Sequence, residues 1–252
     1  MPARVATNNP TEVQTAAVDA AFAALRTYDW GGSRAALLPL DQAVAAAHAS
    51  RAARAELEQR LLSALRNATS VPAREYLCSQ LAVIGGKRSV APLAEWLADP
   101  QLATAARHAL EAIADPSAVK ALRRALFQLR GREKIGVITS LGVKRDADSV
   151  PALARLLEDA DLETVGAAAW ALGEIATPAA GRALADWLAV APSALRAGAA
   201  AAALACAERL AAARHRAEAV ALCRALSDPA FPQHVRAAAA RILQAVPGNP
   251  RR

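Results

Sequence analysis

The chain has 252 residues, 54% hydrophobic and only 4% aromatic, with a formal net charge of +7 at neutral pH and a pI near 10.0. Alanine dominates, which favours closely packed helices over a β-rich fold, because alanine has the highest helix propensity and lets backbones approach. Polar or charged residues interrupt every apolar stretch long enough to span a bilayer, so no transmembrane helix is expected. The excess charge, mostly scattered arginine, suits an acidic partner, a nucleic acid or solubility.

In chain order, residues 1–10 are polar and read as a disordered lead. They hold no apolar run of signal-peptide type, so the expected compartment is cytoplasmic as written. Export is the alternative if Met1 replaces a removed signal peptide, and the localisation is left unassigned. Thr11 and Glu12 open a helix carrying Val13, Ala17, Ala21 and Leu25, which Gly31-Gly32-Ser33 should stop. A second helix over about 33–49 and a third over about 51–67 complete an atypical amino-terminal cap, residues 11–71.

Pro72 begins a regular array that should run over residues 72–246. Its first unit reads as a helix over about 73–84, the turn Gly85-Gly86-Lys87-Arg88, and a second helix over about 89–98 closed by Asp99-Pro100. Further units follow over about 101–130, 132–159, 161–190 and 192–227, then a closing helix over about 231–246 and a flexible tail at 247–252. The fifth unit carries roughly seven extra residues around 207–216, read as a lengthened first helix in preference to a working edge. Two leucine series set this register: Leu81, Leu110, Leu141, Leu172 and Leu204, and Leu93, Leu122, Leu153, Leu184 and Leu222. Leu97, Leu126, Leu157, Leu188 and Leu226 follow the second series by one helical turn. A beat of about thirty residues means stacked helix pairs.

Leu77-Cys78-Ser79-Gln80-Leu81-Ala82-Val83-Ile84-Gly85-Gly86, Val150-Pro151-Ala152-Leu153-Ala154-Arg155-Leu156-Leu157 and Ala168-Ala169-Trp170-Ala171-Leu172-Gly173-Glu174-Ile175 resemble the HEAT-repeat consensus. The resemblance covers about residues 72–246 well and the first seventy poorly. Ala105-Ala106-Arg107-His108-Ala109-Leu110-Glu111 is similar to segments of short bacterial HEAT proteins, many of them exported. The resemblance implies an all-α, right-handed α-solenoid of HEAT-type helix pairs acting as a scaffold or adaptor, and it carries no catalytic residues.

Few residues of the chain point to chemistry. His48, His108, His215 and His234 are dispersed, with no second ligand at zinc spacing, so no metal and no cofactor are expected. Cys78, Cys206 and Cys223 lie in alanine-rich helical patterns and read as buried thiols, with a Cys206–Cys223 disulfide as the minor alternative. Gly85-Gly86-Lys87-Arg88 comes nearest to a phosphate cradle but lacks P-loop spacing. Trp96 and Trp187 occupy matching positions beside Glu95 and Asp186, which makes a DNA-glycosylase-like nucleic-acid binder one alternative. A bilin-lyase-like HEAT enzyme is another.

The second helices of the pairs are more informative. If the second leucine series points inward, a residue two positions later lies about 200° around the helix and points to solvent. That register selects Glu95, Arg124, Arg155, Asp186 and Arg224, and two positions before the leucine it adds Lys120 and Arg182. These seven residues are the candidate partner-binding ladder. The expected function is non-catalytic protein binding, with the concave face of the second helices holding an acidic partner surface.

Overall fold

Helix propensity and helix-period burial account for the described architecture. The structure is a computed structural model that describes residues 10–245, with the backbone alone described for 10–13. Those residues form fourteen α-helices joined by loops and short 3-10 turns, with no strand among them. The chain divides between Ala121 and Leu122 into two compact units. Residues 1–9 of the lead expected over 1–10, and the expected tail over 247–252, lie outside the described residues; Pro10 belongs instead to the first helix, as its first residue.

The first unit contains α1 (Pro10–Ala24), α2 (Leu38–Ala46), α3 (Arg51–Asn67), α4 (Val71–Ile84), α5 (Lys87–Ala94), α6 (Ala103–Ala112) and the beginning of α7 (Pro116–Gln128). Helix α1 stops six residues before the glycine pair that the sequence suggested would end it, and a hydrogen-bonded turn over 25–27 follows. The second expected helix is divided: α2 is flanked by 3-10 turns at Arg34–Leu37 and Ala47–Ala49. Helix α5 begins at Lys87, and its continuation over Glu95–Ala98 is 3-10. Ser33, Ser50 and Ser70 cap the elements that follow them, each side chain accepting a backbone N–H that would otherwise lack a partner.

Polar groups link the helices of this unit, two clusters of them around the Tyr76 and Glu58 side chains, which are buried. Tyr76 on α4 donates its hydroxyl to Asp41 on α2 at 2.8 Å, and Gln80 adds a bond to the same carboxylate oxygen at 3.1 Å. Burial first, then the Asp41 partner, pushes the Tyr76 phenol well above its ordinary range. Arg54 on α3 donates to the carbonyls of Ile84 and Gly85, at 2.8 and 3.2 Å. Glu58, one turn further along α3 and buried, accepts from the Gly86 N–H and the Ser89 hydroxyl, each at 2.7 Å. The turn that resembles a phosphate cradle therefore already holds an anion, a carboxylate of the chain itself, at the start of a helix where the dipole favours negative charge.

The second unit contains the end of α7 and then α8 (Gly131–Val143), α9 (Val150–Arg155), α10 (Leu162–Ile175), α11 (Pro178–Leu188), α12 (Arg196–Ala212), α13 (Arg216–Ala225) and α14 (Gln233–Ala245). Helices α8, α10 and α12 pack side by side as one layer; α9, α11 and α13 form the other. Between pairs, the leucines of the second series are fully buried, each burial stabilising by about 2 kcal/mol.

The first series holds through Leu172 and then slips. Its next buried member is Ala203, whereas Leu204 is only half-buried. The cause is close helix approach: a Cβ on Gly173 of α10 would stand 2.7 Å from the Ala202 carbonyl oxygen of α12, so this contact is built from residues with little or no side chain.

The extra residues around 207–216 lengthen α12 to 17 residues. They also fill a gap. Val90 and Val150 are buried three residues before the leucines of the second series, but α11 has Gly181 at that place, and Leu210 reaches over it. Arg209, beside Leu210, donates to the Gly173 carbonyl at 2.9 Å and to both oxygens of Glu174 at 2.8 Å, tying the lengthened helix to α10. The turns after α8, α10 and α12 place Arg145, Ala176 and Arg214 at positive φ, of 49°, 49° and 65°.

Candidate protein-binding surface

The seven ladder residues are all exposed. Glu95 lies in the 3-10 turn after α5, and Lys120 lies on α7 within the first unit. The second unit holds Arg124 near the end of α7, Arg155 as the last residue of α9, Arg182 and Asp186 on α11, and Arg224 on α13. Since α11 packs against both α9 and α13, Arg155, Arg182 and Arg224 stand on three successive neighbouring helices. Among the described residues, Arg182 is the one ladder residue with an ionic partner, Glu218 on α13 at 2.6 Å. No hydrogen bond or ion pair joins the side chains of Arg124, Arg155, Asp186 or Arg224 to another described residue.

Charge is distributed unevenly between the units. Residues 1–121 carry 12 Lys and Arg against 11 Asp and Glu, whereas residues 122–252 carry 18 against 12. Nearly all of the +7 therefore belongs to the second unit. Inside it, Arg123 forks to Asp146 at 3.1 Å and Asp148 at 2.9 Å, and Lys134 meets Asp159 at 3.4 Å. Burial raises the Asp146 carboxyl above its ordinary range, and the Arg123 guanidinium offsets only part of that.

The other candidates resolve into structural roles. The three cysteines are buried and free, with Cys206 and Cys223 unpaired as a disulfide. Burial pushes the Cys78 and Cys206 thiols up to about 12 and the Cys223 thiol to about 11. All four histidines are exposed, and no group of three His, Cys, Asp or Glu among the described residues could hold a metal ion. Glu111, three residues after His108, pairs with Arg107 at 2.7 Å. The two matching tryptophans differ: Trp187 is buried, and Trp96 is half-buried under Arg74, whose guanidinium sits 4.7 Å from the ring centroid. No helix among the described residues is long and apolar enough to cross a membrane.

The family model for HEAT repeats matches residues 131–205, from the start of α8 into α12. Residues 131–205 carry HEAT repeats. Among solved structures, the chain is similar to the complex of CpcE and CpcF of phycocyanin lyase from Nostoc sp. PCC7120, at 20% identity over 99% of this chain and 98% of that one, with a TM-score of 0.43. It is also similar to human deoxyhypusine hydroxylase in complex with glycerol, at 20% identity over 94% and 98% of the two chains, with a TM-score of 0.38. No curated protein matches the chain.

Proposed function

We propose that this HEAT-repeat chain is a non-catalytic scaffold or adaptor whose second unit holds the acidic surface of another protein, with Arg124, Arg155, Arg182 and Arg224 as the contacting cations. The observation that carries this reading is the concentration of excess positive charge in residues 122–252, with Arg124, Arg155 and Arg224 making no internal ion pair among the described residues. An arginine that folding does not use keeps its planar fork for bidentate contact with a partner carboxylate. Stacked repeats present such residues on successive helices, which suits an extended surface better than a closed pocket.

The test is a purified partner, captured with the full chain and then titrated against it. Arg124→Glu combined with Arg155→Glu is expected to weaken the complex at least tenfold while leaving the far-UV spectrum and melting temperature unchanged. Wild-type affinity in the double variant would sink the proposal. The same charge excess also favours a second reading, binding of nucleic acid phosphates. That reading predicts affinity for DNA or RNA falling steeply with salt, and no binding at low salt eliminates it.

A further inference from the structure

A cleft of about 520 Å³ opens in the second unit beside the ends of α11 and α13 and the start of α12. Its apolar lining includes Leu188 and Phe231, both buried, and its cations are Arg196 and Arg224. Neither arginine side chain has an ion-pair or hydrogen-bond partner among the described residues. The other polar groups of the cleft are engaged: Ser227 donates to the Cys223 carbonyl at 2.8 Å, and Asp228 accepts the Ala230 N–H at 2.7 Å. The cleft therefore brings together two guanidinium groups without an internal partner, one carboxylate, Asp228, and apolar side chains, in the half of the chain that carries the excess positive charge. Its volume lies within the roughly 300–1,000 Å³ of ligand-holding clefts.

From this we infer that the cleft is a docking site for a short acidic segment of a partner protein, in which an apolar side chain enters over Leu188 and Phe231 while neighbouring carboxylates meet Arg196 and Arg224. A purely ionic ligand would leave the apolar lining uncovered, and a purely apolar one would bury two arginines against the single carboxylate of Asp228, at a desolvation cost. An acidic segment with alternating apolar residues satisfies both parts. Arg224 also belongs to the ladder, so a bound segment continues from the cleft onto the second helices. The inference rests on the proposed protein-binding role and names the feature of the partner that the cleft reads.

The experiment uses the full chain and a fluorescein-labelled octapeptide of alternating glutamate and leucine, followed by anisotropy. Saturable binding is expected, weakened at least tenfold by Arg196→Ala and, separately, by Ala230→Trp, which fills the cleft from an exposed position. Octaglutamate is expected to bind at least tenfold more weakly than the alternating peptide. Absence of saturable binding, unchanged affinity in Arg196→Ala, or equal affinity for octaglutamate would each overturn the docking site. The two proposals fail separately. A native partner lost on the double reversal alongside a silent peptide overturns the cleft alone; peptide binding alongside a native partner indifferent to the double reversal overturns the ladder alone.

Discussion

The two units differ in their charge balance and in how their helices meet. In the first, charge is balanced, and Arg54, Glu58 and Asp41 are committed to carbonyls, N–H groups and hydroxyls of neighbouring helices. In the second, the helices of one layer meet through small residues such as Gly173 and Ala202, and several arginines face solvent without a partner. Loop chemistry differs as well: among the described residues, every non-glycine residue with positive φ lies in the second unit. The second unit pairs Arg123, Lys134, Arg182 and Arg209 internally, yet its excess of cations leaves Arg124, Arg155 and Arg224 without a partner among the described residues. Those charges are left for something else.

The largest expected effect comes from breaking the close contact. Gly173→Leu places a side chain where even a Cβ meets backbone, and it should cost about 3 kcal/mol or more, measured by urea denaturation. Cysteine labelling then localises the damage: Cys206 and Cys223 should react with a thiol reagent before Cys78 does. Glu58→Ala is the converse experiment in the first unit. It orphans the Gly86 N–H and the Ser89 hydroxyl, with an expected loss of about 2 kcal/mol and Cys78 reacting first. If all three cysteines become reactive together in both variants, the contrast between the units has no energetic counterpart.

The thiols also give an expected pH dependence. Their ordinary value is 9.0 and burial raises it, so below pH 9 both folded and unfolded chains are protonated and stability is unaffected. Above pH 9 the unfolded chain loses protons that the folded one keeps, and each buried thiol should withdraw up to about 1.4 kcal/mol of stability per pH unit. That loss continues until the pH reaches the folded values of about 11 to 12. Denaturation midpoints measured from pH 8 to 10.5 check it. The smallest effect is a gain. Ala176 occupies the left-handed region at the end of α10, so Ala176→Gly should stabilise the second unit by about 0.5–1 kcal/mol, and an unchanged melting temperature would refute this.

Much of the fold was legible because leucine spacing and helix punctuation report the same periodicity. Leu93, Leu122, Leu153, Leu184 and Leu222 are buried as their register requires, and the exposure of Arg124, Arg155 and Arg224 accompanies it geometrically. What stayed hidden depends on contacts between helices. The slip from Leu204 to Ala203 follows from how closely α10 and α12 approach, which no spacing within α12 encodes. Nor does the turn at Gly85 and Gly86 disclose its anion, because Glu58 lies 28 residues earlier. The cleft was missed for the same reason: Arg196 and Arg224 belong to different helices, and only tertiary packing gives them a shared apolar lining.

The contact of Leu210 with Gly181 bears on how this chain can vary. A valine at position 181 would restore the residue type found at positions 90 and 150, yet it collides with Leu210; an alanine at position 210 leaves a void while residue 181 is glycine. Either change made first is penalised, and the two made together cancel. Positions 181 and 210 are therefore energetically coupled, and a shortened α12 that loses Leu210 leaves a space over Gly181 that a larger residue there would have to fill.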